Sequence, residues 1–142
     1  MSEKADWMSW VKWEPPHRVR DLITQRHLIP RDKGLYVFSL DKGPLRKGRV
    51  LYVGETRRKD GFRGRFGDYL KPDPTKGSTT HLGALFLQDH RLSNPDDFVY
   101  VRWAPLEIEY KTLRNLEAAI MQYYQAWFNT RDMGADTPFD DI

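Results

Sequence analysis

The sequence predicts an α+β fold: a small three-stranded antiparallel sheet flanked by helices, with a short helical N-terminal extension. Three observations lead there. Two short apolar stretches, each holding a tyrosine and a glycine, stand close together at Gly34-Leu35-Tyr36-Val37-Phe38 and Val50-Leu51-Tyr52-Val53-Gly54. A third short stretch from Phe98 to Trp103 is aromatic and suited to a half-buried strand. A longer segment from near Lys111 to Phe128 places its apolar residues at helical spacing.

Taken in order, Asp6 to Trp13 reads as a short helix or irregular arm presenting Trp7, Trp10 and Trp13, and Pro15-Pro16 ends it. Val19 to Leu28 reads as a second short helix, stopped before Pro30. Strands follow at Leu35 to Leu40 and Arg49 to Val53, and the Gly-, Pro- and Lys-rich segment between them makes a hairpin the economical connection. After the charged loop Arg57 to Gly61, the pattern from Phe62 to Leu70 is helical, although Gly64 and Gly67 each weaken it by about 1 kcal/mol relative to Ala. Thr80 is placed to cap a helix over His81 to His90. Asn94-Pro95-Asp96 is a turn before the third strand. The divisions are an N-terminal extension over 1–32, one domain over 33–131 and an acidic tail over 132–142.

Composition narrows the function classes. A chain of 142 residues with 39% hydrophobic and 30% charged residues is expected to fold as one soluble domain. Cysteine is absent, which excludes disulfides, thiolate zinc sites and cysteine nucleophiles and fits a cytoplasmic setting. No apolar run approaches the roughly 18 residues of a membrane span. Charge is unevenly placed: Lys42 to Lys76 holds eleven Lys or Arg against four Asp or Glu. A basic middle suits phosphate binding, because neutralised phosphates release counterions, and equally suits a solvated loop.

The last helix carries an anomaly. Leu113, Ile120, Met121, Tyr124 and Phe128 form an apolar stripe, and Glu117 falls within it. A carboxylate on a core-facing stripe is costly unless it is paired, protonated or bound to a metal. The two readings are an ion pair, with Arg65 or Arg102, and a site of chemistry.

The order of Gly34-Leu35-Tyr36, Tyr52-Val53-Gly54, the basic segment Phe62 to Leu70, Glu117 and Asn129 resembles the GIY-YIG nuclease superfamily, with spacing similar to the excision-repair incision nuclease domain. The likeness covers about Lys33 to Arg131, with a longer gap between the two tyrosine motifs and an enlarged Glu55 to Gly61 loop. It implies a metal-dependent DNA endonuclease of structure-selective or weakly sequence-specific action. It implies that Glu117 ligates one Mg²⁺ or Mn²⁺, that Asn129 is a site residue, and that a tyrosine hydroxyl activates water. Tyr36 and Tyr52 are both candidates for that hydroxyl, facing each other across the hairpin, with Tyr52 favoured. Arg65 is the phosphate clamp, since a guanidinium reaches two phosphate oxygens at once. Tyr69, one turn after Arg65, shares its face. Arg57, Arg58, Arg63 and His81 are candidate substrate contacts. The expected partner is DNA and no membrane, with monomer and homodimer both open. The alternatives are an inactive nucleic-acid-binding module of the same fold and a protein-interaction subunit using Trp7, Trp10 and Trp13.

Overall fold

The computed structural model describes residues 10–67, 70 and 98–127. They form an α+β arrangement in which one antiparallel sheet is covered on both faces. The elements are β1 (His17–Arg18), α1 (Val19–Thr24), a 3-10 turn (Arg26–Leu28), β2 (Gly34–Ser39), β3 (Val50–Thr56), α2 (Gly61–Phe66), β4 (Tyr100–Pro105) and α3 (Tyr110–Tyr124). Strand order across the sheet is β1-β4-β2-β3. The expected helix over His81 to His90, together with Trp7, Tyr69, Phe128, Asn129 and the acidic tail, lies outside the described residues.

The sheet has four strands where three were expected. The additional strand, β1, pairs His17 with Val101 and Arg18 with Tyr100. Its two residues carry no alternation, and Pro15-Pro16 reads as a break. On an outer edge, however, a proline need not donate to a ladder. The segment before β1 is not helical: residues 10–16 have no helix, and the Glu14 amide donates to the Trp103 carbonyl at 2.8 Å.

β2 is the central strand, and all six of its residues are buried. Leu35 and Val37 enter a cluster with Leu113, Leu116, Ile120, Met121 and Tyr124 of α3. Tyr36 and Phe38 enter the opposite cluster, with Leu22, Phe62, Phe66 and Trp103. Helices on both faces explain why this strand reads as an uninterrupted apolar run rather than alternating.

The hairpin register slips between Phe38 and Ser39: Phe38 lies opposite Tyr52, but Ser39 lies opposite Val50. Leu51 is the extra residue of this bulge, so Leu51 and Tyr52 both reach the α2-side cluster while Val50 and Val53 reach the α3 side. The hairpin loop is tied down from β4. The Arg102 guanidinium donates to the carbonyls of Asp41 at 3.1 Å and Gly43 at 2.8 Å. Arg102→Met keeps the aliphatic packing but removes those donors, and is expected to lower unfolding free energy by about 2 kcal/mol in urea titrations.

Candidate active site

The two motif tyrosines share the α2 face of the sheet but are diagonal neighbours, not opposite partners. Tyr36 pairs with Gly54, and Tyr52 pairs with Phe38. Their ring centroids are 6.4 Å apart. The Tyr36 ring lies across Gly54: a β-carbon there would run into its Cζ and hydroxyl oxygen. Gly34 answers a similar demand, since a β-carbon would collide with the Ala104 carbonyl on β4 and the Leu106 amide just after it. Both motif glycines are thus set by close approach.

The two tyrosines differ in access. Tyr36 is 1% exposed and meets Phe66 edge-on at 5.2 Å and Phe62 at 6.5 Å. Tyr52 is half-buried on edge strand β3, where its side chain can meet solvent. The Arg65 side chain, on α2, is also half-buried.

Glu117 sits on α3 among the buried residues Leu113, Leu116, Ile120 and Met121, with its side chain 14% exposed. Its charged neighbour is Arg114, one turn earlier, with Nε 3.7 Å from Oε1. The ion-pair reading named Arg65 or Arg102; Arg102 is instead engaged with the hairpin loop. The same Arg114 guanidinium lies 3.9 Å from Glu55 Oε2, on β3. Glu55 is 13% exposed at its side chain, so two half-buried carboxylates flank one arginine.

Burial pushes the Glu55 carboxyl above its ordinary value of 4.5, opposed in turn by the positive charges of Arg114, Arg57 and Arg65. Arg65 lies on α2 and Arg114 on α3, so positive charge from helices on both faces acts on Glu55 of β3, the last strand of the sheet among the described residues. A carboxyl whose folded value is raised stabilises the fold at low pH, and this contribution is lost as pH rises through that value. In Arg114→Met the Glu55 titration, followed by ¹³C NMR on the metal-free protein, is therefore expected to move higher still, with stability falling over a wider range above pH 4.5.

Other candidate contacts are placed as follows. Arg57 lies over the Tyr110 ring, 3.5 Å from its centroid. Arg58 pairs with Asp60 at 3.1 Å on the surface. Arg63 donates to the Ile29 carbonyl at 2.8 Å and the His27 carbonyl at 3.3 Å, fastening α2 to the segment before β2. Tyr69, His81 and Asn129 lie outside the described residues. Glu55 and Arg114 were not among the sequence candidates. Glu55 falls two residues after Val53, on the same strand face, and Arg114 stands three before Glu117 on one helix face, so both were accessible to the argument that singled out Glu117.

Among the described residues the donors are one or two carboxylates, a set that suits a hard cation keeping most of its waters. Among the described residues no group of three or more His, Cys, Asp or Glu is placed to hold a metal ion. No helix among them is long and apolar enough to cross a membrane. Neither family models, nor curated proteins, nor solved structures match this chain.

Proposed function

We propose that this chain is a divalent-metal-dependent DNA endonuclease of the GIY-YIG kind, hydrolysing phosphodiester bonds beside β3. The observation that carries the reading is the meeting of Glu117, Glu55 and Arg114 beside strand β3, with Tyr52 on the other face of that same strand.

In this reading Glu117 holds Mg²⁺ or Mn²⁺, with Glu55 beside it. The bound cation supplies Lewis-acid stabilisation of phosphoryl charge and of the leaving oxygen. Arg65 binds the scissile phosphate through paired guanidinium donors and stabilises the charge that develops on it. Tyr52, the more accessible tyrosine, takes the proton of the attacking water. An ordinary phenol has a pKa near 10, so this role needs cations beside it to favour the phenolate. Tyr36, buried over Gly54, holds the geometry of the hairpin from below. Cleavage is structure-selective or weakly sequence-specific, and the protein works on DNA in the cytoplasm.

A second reading has its own observation: Arg114 already neighbours Glu117, as it would in a purely structural ion pair of a nucleic-acid-binding module. Arg65→Ala separates the two. In the endonuclease it loses cleavage by about 10²-fold or more, as expected when a charge-stabilising donor is removed, while DNA binding falls by less than about tenfold. If wild type never cleaves with Mg²⁺ or Mn²⁺ and Arg65→Ala only weakens binding, the module reading replaces it.

A further inference from the structure

A cleft of about 560 Å³ opens at the end of the sheet where β2 begins and β4 ends. Arg31, Lys33 and Lys59 line it, with the carboxylates of Asp32 and Glu107 on the same walls. Its walls are built by the segment before β2, the loop after β3 and the linker from β4 to α3. The loop after β3 also reaches the start of α3 through Arg57, whose guanidinium carbon lies 3.5 Å from the Tyr110 ring centroid. Tyr110 is a large aromatic side chain left 40% exposed at the start of α3. Its hydroxyl accepts a hydrogen bond from Arg114 at 3.3 Å, and Arg114 in turn neighbours Glu55 and Glu117. Arg57 stands two residues before Lys59 and Tyr110 three after Glu107, so the contacts from Glu55 and Glu117 through Arg114, Tyr110 and Arg57 end beside two of the segments that wall the cleft.

We propose that the cleft and these contacts together form a binding site for single-stranded DNA, with Tyr110 as a base-stacking platform and Arg31, Lys33 and Lys59 as contacts for the strand's phosphates. The inference rests on the endonuclease reading for the strand's purpose, which is to deliver an unpaired segment to the β3 edge. Its size fits: small-ligand pockets run about 300–1,000 Å³, so this cleft takes roughly one or two nucleotides rather than a duplex. Its chemistry fits as well, since sites for unpaired strands combine a cationic track with exposed aromatic rings. Arg57 and Arg114 on the Tyr110 ring keep it oriented and place positive charge beside any stacked base. Asp32 and Glu107 offer acceptors to base amino groups.

The test is fluorescence anisotropy in EDTA, with a labelled 12-nucleotide single strand and the duplex of the same sequence, so that cleavage plays no part. Wild type is expected to bind the single strand more tightly than the duplex. Tyr110→Ala should weaken single-strand binding by about tenfold and leave duplex binding within about twofold, while Tyr110→Trp retains it. Lys33→Ala with Lys59→Ala should flatten the salt dependence for the single strand. Equal single-strand binding by wild type and Tyr110→Ala, an equal loss on both DNAs, or a preference for duplex overturns the proposal. If the single-strand results hold and no metal supports cleavage, the binding site stands and the endonuclease reading falls. If metal-dependent cleavage is present and Tyr110→Ala is silent, the reverse is true.

Discussion

Glu117→Gln is expected to lose metal-dependent cleavage by about 10²- to 10³-fold while keeping fold and DNA binding, because it removes one charge from a site whose chemistry rests on a held cation. Gln is nearly isosteric, so packing among Leu113, Ile120 and Met121 is retained. Stability should change by less than about 1 kcal/mol, since the pair with Arg114 is half-exposed on the arginine side. Raising Mg²⁺ or Mn²⁺ should recover part of the rate if weakened cation binding is the cause. Glu55→Gln provides the comparison. A smaller loss there than in Glu117→Gln would assign the cation chiefly to α3, and comparable losses would assign it to both carboxylates. A Glu117→Gln variant with an unchanged rate would reduce the Glu117–Arg114 contact to a helix-surface ion pair.

The largest effect on stability is expected at Gly54. In Gly54→Ala the added methyl group must occupy space held by the Tyr36 ring and hydroxyl, and that ring is enclosed by Phe38, Phe62 and Phe66. The ring cannot swing aside without displacing α2, so overpacking should cost about 3 kcal/mol, equivalent to roughly 10 °C in melting temperature. Urea titration followed by tryptophan fluorescence reads this directly. Tyr36→Ala alone is also destabilising, through the cavity it leaves, but combining it with Gly54→Ala should cost less than the sum of the two changes. Strict additivity would mean that the glycine is required by backbone conformation and not by the ring above it. Activity should fall with Gly54→Ala even below its melting temperature, since Tyr52 shares the strand and ring layer that shift.

Much of the architecture was legible in the sequence because apolar period and turn chemistry agreed. Strands β2, β3 and β4 and helix α3 all lie within a few residues of their expected positions. The edge strand β1 was not legible: a two-residue ladder has no periodic signal, and its neighbouring prolines point the other way. The bulge at Leu51 was equally hidden, because nothing in Val50-Leu51-Tyr52 distinguishes an extra residue from regular alternation. It matters for the site, since it directs Leu51 and Tyr52 to one face together. Around the site, Glu117 stood out through a broken apolar stripe. Glu55 was passed over because a strand-end glutamate ordinarily faces water, although its spacing from Val53 places it on the same strand face; its side chain is 13% exposed. The sequence set Arg65 above Arg63 as the phosphate clamp, although the two stand only two residues apart. The structure gives them different surroundings, with Arg63 holding carbonyls before β2 and Arg65 acting on Glu55.

The central claim is best tested by a time course of purified wild-type protein on supercoiled plasmid and on a branched duplex, with Mg²⁺, with Mn²⁺ and with EDTA, against Glu117→Gln as background. Wild type is expected to cleave only with the cation present, and the variant is expected not to cleave. Cleavage unchanged in EDTA, or equal in both proteins, would contradict the claim.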